Sequence, residues 1–257
     1  MKITFRGTGD SMGVPRVYCH CAVCSEARDS GLNRRLRSSV QLQVEGEAPI
    51  WIDCGPSWSS QMEAAGLKEL ECILITHAHF DHIGGLPEWA DSLRWLKKRG
   101  TAYATKEVIA EILARFPWLS AQIEFLSFDQ PIMLGLWRVS SWKVNHGKNG
   151  HAYAFRFEHS TNGKAWVYCS DSIGLTEEQQ QPLAGLELLV LGTSFHHEPF
   201  AYEIRSVYDV TEAIPLIAKW KPKRTLLTHL SHDIDLGRSY PLPEGMAFAR
   251  TGMSVNI

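Results

Sequence analysis

The sequence contains no long hydrophobic run, and no stretch approaches the ~20 apolar residues that a bilayer-spanning helix needs. Charge of one sign is also scarce: 26 Lys and Arg stand against 28 Asp and Glu, for a net charge of -2. That balance provides no general attraction to nucleic acid or to an anionic membrane, and leaves only a local basic patch at Arg34, Arg35 and Arg37 to consider. The opening MKITFRGTGDSMGVP lacks the basic region and apolar core of a secretory leader, so the expected compartment is the cytoplasm. Neither a repeat, a low-complexity tract nor a linker interrupts the 257 residues, and one domain over 1–257 is the simplest organisation. Hydrophobic residues make up 44% of the chain, enough to bury a sizeable core.

What is present is concentrated. Residues Ile75 to Gly85 read ITHAHFDHIGG, with His77, His79, Asp81 and His82 crowded into six positions. Packing does not call for such a cluster. The apolar run ECILIT precedes it and the helical pattern LPEWADSLRWLKKRG follows, so it occupies a strand-to-helix loop, where α/β folds build their sites. Imidazole and carboxylate are donors for borderline metal ions. The alternation His77, Ala78, His79 projects two imidazoles the same way.

Cysteines number six, and three of them, Cys19, Cys21 and Cys24, are bunched in YCHCAVC. Disulfides between such close neighbours would be strained, whereas a three-thiolate clip for zinc needs only a fourth ligand from elsewhere. His20 is one candidate, disfavoured by the geometry of so short a loop. Cys54, Cys72 and Cys169 lie in apolar strand contexts and read as small buried hydrophobes.

Strand-like runs recur along the chain, with helices expected at Ser57 to Ala65, Leu86 to Lys98, Lys106 to Phe116, Thr176 to Gln181 and Asp209 to Lys219. Asp209 and Glu212 form a capping-box variant at the last of these, which Pro215 would kink. Hairpins and βα units interleave, so the expected class is α/β in the α+β sense, with two sheets and helices outside. Two metals need more donors than one loop holds. His146, Asp171 and His229 each stand where an apolar run stops and are the further candidates. Residues Ser194 to Ser206 lack periodicity and are expected to form a surface loop near the site. His151 and His159 read as strand-edge polar residues, His151 being close enough to His146 to touch a substrate. Trp89, Trp95 and Trp118 read as packing residues.

THAHFDH, His146 after Asn145, Asp171 after Ser170 and His229 after Thr228 together resemble the dinuclear signature of the metallo-β-lactamase superfamily. Within it the chain is most similar to PhnP-type phosphodiesterases, on GTGDSMGVP, CHCAVC, YCSDSIGL and LLTHLSH, with tRNase Z and PqqB as relatives. The resemblance implies a four-layer αββα sandwich. It implies that His77, His79 and His146 hold one divalent ion, that Asp81, His82 and His229 hold the other, and that Asp171 bridges them. It makes His232 the fourth ligand of a structural zinc with Cys19, Cys21 and Cys24. It gives Asp53 a supporting role, hydrogen-bonding the metal loop.

The chemistry so implied is hydrolysis of a small, cyclic or open phosphodiester, in which two ions (Zn, Mn or Fe) lower the pKa of a shared water and absorb phosphoryl charge. Asp81 and Asp171 are its central carboxylates. The family's leaving-group histidine is missing: Ser206 or Val207 stands at its place. His196 or His197 could loop in, Arg205 could stabilise the leaving oxygen, or the natural leaving group could need neither. Alternative readings are a tRNase Z-like ribonuclease, a carboxyl-ester or thioester hydrolase, and a PqqB-like accessory protein. The small-molecule substrate is the expected partner, together with a second copy of the chain by analogy with the relatives, and neither nucleic acid nor membrane is expected.

Overall fold

A computed structural model describes residues 1–257. One sheet contains β1 (Lys2–Gly7), β2 (Ser39–Gln43), β3 (Ile50–Ile52), β4 (Cys72–Leu74), β5 (Gly100–Ala104) and β6 (Ile123–Ser127). The other contains β7 (Ile132–Leu134), β8 (Trp137–Asn145), β9 (His151–His159), β10 (Ala165–Cys169), β11 (Leu188–Gly192), β12 (Thr225–Thr228) and β13 (Met246–Phe248). The last strand, β14 (Ser254–Asn256), returns to the first sheet. Both sheets are seven-stranded, in the orders β14-β1-β2-β3-β4-β5-β6 and β13-β12-β11-β10-β9-β8-β7. Each is mixed, with β3 to β6 parallel in one and β10 to β13 parallel in the other, and antiparallel pairing elsewhere.

The central strands are continuous apolar runs because both their faces are buried. Along β3, Ile50 and Ile52 face the other sheet while Trp51 faces outward; along β11, Leu188 and Val190 face inward while Leu189 and Leu191 face outward. The inward set joins Ile3, Phe5, Leu42 and Leu74 to Phe155, Phe157, Trp166 and Tyr168 in a core between the sheets. Outward side chains are covered by helices. On the first sheet these are α2 (Trp58–Ala65), α4 (Leu86–Leu96) and α5 (Lys106–Arg115); α4 packs Leu86, Trp89, Ala90 and Leu93, the i, i+3, i+4, i+7 stripe of an amphipathic helix. On the second sheet α7 (Val210–Trp220) packs Val210, Ala213, Ile217 and Trp220. The result is the αββα order expected from the sequence.

The five expected helices form, each within a residue or two of its expected bounds. The Asp209 carboxylate accepts the Glu212 N–H at 2.8 Å and the Glu212 carboxylate accepts the Asp209 N–H at 3.2 Å, and α7 runs on through Pro215. Three short helices complete the set: α1 (Ala22–Asp29) behind the cysteine run, α3 (Phe80–Ile83) inside the histidine cluster, and α6 (Glu177–Gln180) where Thr176 to Gln181 was expected. Two expectations need correcting. Trp89 is buried, but Trp95 and Trp118 are 77% and 54% exposed and do not serve the core. Nor is there a basic patch at Arg34, Arg35 and Arg37, because Arg35 is buried and donates to the Ser231 and Ile234 carbonyls at 3.1 and 2.8 Å.

The segment after β3 grips the histidine cluster through its backbone: the Cys54 N–H donates to the His82 carbonyl at 2.7 Å and the Gly85 N–H to the Cys54 carbonyl at 2.8 Å. Gly55 is required there, since a Cβ on it would lie 2.0 Å from the Asp81 carbonyl oxygen. Gly55→Ala is therefore expected to lower unfolding free energy by ~1–3 kcal/mol, the range for forced overpacking, as read from urea unfolding curves.

Candidate metal centre

Carboxyl ends of strands from both sheets converge at one edge of the sandwich. Asp53 follows β3, His77 follows β4 by three residues, His146 follows β8, Asp171 follows β10 and His229 follows β12. The short helix α3 turns Asp81 and His82 back toward His77. All of the expected ligands meet here, in three overlapping groups: His77, His79 and His146; His77, His82 and Asp171; Asp81, His82 and His229.

Each imidazole is oriented by what its outer nitrogen touches. His82 Nδ1 donates to Asp53 Oδ2 at 2.7 Å, and His146 Nδ1 donates to the Ser206 carbonyl at 2.7 Å. Thr76 Oγ1 lies 3.0 Å from His77 Nδ1, and Ser194 Oγ lies 3.3 Å from His229 Nδ1. With Nδ1 occupied, Nε2 of these four rings points inward. His79 is the exception and presents Nδ1, 3.0 Å from His77 Nε2 and 3.3 Å from His146 Nε2. Asp53, as expected, supports the loop: it also accepts the Thr76 N–H at 2.8 Å and the Thr76 hydroxyl at 2.9 Å. Asp53 and His229 both adopt left-handed backbone, φ +64° and +58°. That conformation costs a non-glycine residue ~1–2 kcal/mol, and here it aims both side chains at the cluster.

The donor set fits cations. Around a tetrahedral ion with bonds of about 2.0–2.1 Å, neighbouring nitrogens sit roughly 3.3–3.4 Å apart, close to the 3.0 and 3.3 Å separations of the three-histidine group. Burial pushes the imidazolium forms of His77, His79 and His146 down, leaving neutral rings with free lone pairs. Burial opposes charge on Asp81 and Asp171 as well, but His82 and His229 outweigh it and hold both carboxyls below the ordinary range. His229 is correspondingly pushed up to about 9, its own burial overcome by Asp171 and Asp81. Two buried carboxylates thus demand positive charge beside them. His82 Nε2 and Asp171 Oδ2 are buried without a hydrogen-bond partner, as befits atoms reserved for a metal.

The cysteine run forms a second cluster. His232 Nδ1 lies 3.2, 3.5 and 3.4 Å from the sulfurs of Cys19, Cys21 and Cys24. One ring nitrogen has at most one hydrogen to give, so the three simultaneous contacts cannot all be hydrogen bonds. They match the ~3.6 Å nitrogen–sulfur edge of a tetrahedral zinc site. His20 points to solvent. Among the remaining thiols, Cys54 and Cys169 are buried and Cys72 half-buried, and burial pushes all three up.

A cavity of about 460 Å³ opens over the histidine and aspartate cluster. Its walls include Asp10, Arg16, His79, Asp81, His146, Asp171, Glu198, Ser206, Val207 and His229. His196, His197 and Arg205 are absent from those walls. The His196 ring packs on Tyr240, centroids 5.0 Å apart; His197 is exposed, 3.5 Å from Asp209; Arg205 is buried among carboxylates. His151 is 3.2 Å from Glu107 at a strand edge and His159 packs on Trp137, so neither joins the site. Sequence reading passed over Arg16 and Glu198. Arg16 could have been noticed from its place between GTGDSMGVP and the cysteine run, whereas Glu198 gives no local signal.

Residues 49–230 match the family model described as "Beta-lactamase superfamily domain", and the chain belongs to that superfamily. Over its whole length it superposes on a crystal structure of a "New Diphosphatase from the PhnP Family", with a TM-score of 0.86 and 29% identity, covering 97% of that chain. Zinc-bound PqqB from Methylobacterium extorquens superposes with a TM-score of 0.81 at 17% identity, with 100% of both chains covered. An octanoyltransferase from Porphyromonas gingivalis is 26% identical over 93% of this chain and 48% of its own length, so the chain spans about half of that curated relative. The chain accordingly has a metallo-β-lactamase fold, with buried His/Asp clusters that could hold metal. No helix is long and apolar enough to cross a membrane.

Asp53→Ala is expected to weaken divalent-metal affinity about 10- to 100-fold by releasing His82, as titrated against a chromogenic chelator. His232→Ala should remove one metal equivalent by elemental analysis and lower the melting temperature while the other equivalents stay bound, separating the cysteine clip from the histidine centre.

Proposed function

We propose that the protein is a dinuclear metal-dependent phosphodiesterase of PhnP type, acting on a small phosphodiester of the cyclic ribose phosphate class. The observation that carries this reading is the cavity, whose walls are mostly polar and whose volume suits a small molecule. Two divalent ions held by the His/Asp set would activate water and neutralise phosphoryl charge. The chain's own residues fix the rest. Asp53 and Thr76 hold His82 and His77, and the Ser206 carbonyl holds His146.

Arg16 is the one permanent cation on the cavity wall, and it is kept there by Asp10 at 2.6 Å. It is placed to meet a phosphoryl or second anionic group of the substrate. Phe80, Phe195 and Val207 supply the apolar wall against which a sugar or aryl ester would rest. Similarity to the PhnP-family diphosphatase supports phosphoryl chemistry, and the balanced charge of -2 supports a small substrate over a long nucleic acid. The leaving group remains without the histidine that the family places at Ser206 or Val207.

Purified protein reconstituted with Mn²⁺ or Zn²⁺ should hydrolyse bis(p-nitrophenyl) phosphate, and Asp171→Ala should lower kcat by at least about 1,000-fold, since one buried carboxylate serves both halves of the site. Full metal occupancy without turnover of this ester or of a cyclic ribose phosphate would remove the phosphodiesterase reading in favour of a carboxyl-ester hydrolase or an accessory role.

A further inference from the structure

A single cation cannot neutralise three carboxylates. Arg205 is buried, and Glu198, Asp209 and Glu212 all turn toward it. Glu212 takes the bidentate share, at 2.9 and 2.5 Å from the two terminal nitrogens. Asp209 is satisfied by other donors: the Glu198 N–H at 2.9 Å, the Glu212 N–H at 2.8 Å and the Thr211 hydroxyl at 2.7 Å. The exposed His197 also approaches it, at 3.5 Å. Glu198 is left with one contact, 3.2 Å from Arg205 Nε, and that nitrogen is not aligned to donate a hydrogen bond to it. Its carboxyl is the least stabilised of the three as an anion, and it is also the one on the cavity wall. Burial raises it above the ordinary carboxyl range against the pull of Arg205, with Asp209 and Glu212 pushing the same way as burial. For Asp209 burial is outweighed by its donors, and it lies below that range.

We infer that Glu198 is the catalytic proton donor to the leaving oxygen, opening onto the same cavity as Ser206 and Val207, where a histidine was expected. The inference rests on the phosphodiesterase reading. As the bond from phosphorus to the leaving oxygen breaks, its electron pair stays on that oxygen, which takes the Glu198 proton and becomes a hydroxyl, released as the alcohol from an open diester and retained on the sugar when a cyclic one opens. The oxygen of water forms the new bond to phosphorus, and a proton released by that water, passing through solvent, restores the Glu198 carboxyl. Diester and water thus become monoester and alcohol. In its neutral form the carboxyl also places no fixed negative charge beside an anionic substrate.

The test is leaving-group dependence in Glu198→Gln, which keeps the side-chain volume and an oxygen toward Arg205 but has no acidic proton to transfer. Metal-loaded wild type and variant are compared on bis(p-nitrophenyl) phosphate, whose phenolate departs unprotonated, on diphenyl phosphate, and on a cyclic ribose phosphate, whose alkoxide needs a proton. General-acid catalysis predicts a kcat loss of about 100-fold or more on the cyclic ester, less than about 3-fold on the nitrophenyl ester and an intermediate loss on the diphenyl ester. Equal loss on all three, or none, would overturn the assignment. Glu212→Gln touches the same arginine but not the cavity, and should leave the dependence on leaving group unchanged; a selective loss there would also overturn it. Should Glu198→Gln fail to fold, Glu198→Asp withdraws the carboxyl by one methylene and must show the same selective loss. A wild type inactive on every ester would instead defeat the phosphodiesterase reading itself, an outcome the wild-type arm identifies separately.

Discussion

The buried carboxylate of Asp53 is the constraint from which the rest of the site is built. It has no exposed surface, and burial pushes its carboxyl up. An anion so placed is tolerable only if donors surround it. Those donors are the His82 imidazole, the Thr76 N–H and the Thr76 hydroxyl, and each is part of the metal loop. Satisfying Asp53 therefore orients His82 directly and, through Thr76, His77 as well. The left-handed backbone at Asp53 turns the carboxylate toward the next strand end, and the Gly55 contact keeps the Asp81 backbone against it. The orientation of His77 and His82 thus follows from one requirement of polar satisfaction inside a protein interior.

A second brace holds the opposite side. His229 is followed by Leu230, whose N–H donates to the Thr8 carbonyl at 2.8 Å and whose carbonyl accepts from Asp10 at 3.2 Å. Arg35 reaches the Ser231 and Ile234 carbonyls, and His232 meets the three cysteines. Segments far apart in sequence are thereby fastened within a few residues of one metal ligand. The Cys24 sulfur also accepts from the Arg16 N–H at 3.4 Å. The clip consequently fixes the cavity's one permanent cation together with His229, so that a metal held by the three cysteines and His232 would brace a ligand of the histidine centre.

Much of this was legible because the chemistry is dense where the fold permits it. Three histidines and an aspartate in six residues have no packing explanation, and His146, Asp171 and His229 each stand at the end of an apolar run. The central strands were legible for the same reason that they are buried on both faces. Three strands were missed: β7, β13 and β14 have three residues each, and all are edge strands whose pairing comes from one neighbour rather than from their own pattern. The helix α1 was hidden by its shortness, eight residues that begin inside the run of cysteines. Glu198 was invisible for a different reason. Its character depends on Arg205, Asp209 and Glu212 converging on it, and nothing in SFHHEPFAYEIRS announces that meeting.

Charge around the cavity gives that convergence its meaning. Asp81 and Asp171 would be countered by the ions they hold, and Asp10 by Arg16. With two divalent ions bound, the wall would carry a modest positive excess, as the proposed singly charged diester would require. An ionised Glu198 would reduce that excess next to the leaving group, where negative charge is developing. Arg205 lies 3.2 Å from Glu198, but its one positive charge is shared with Asp209 and with Glu212, which takes both terminal nitrogens in a bidentate pair. Arg205 is thus committed first to the helix-capping carboxylates of α7, and burial favours the neutral form of the cavity carboxyl. A carboxyl held that way can give the proton up when an alkoxide appears beside it, which a guanidinium at Arg205 could not do.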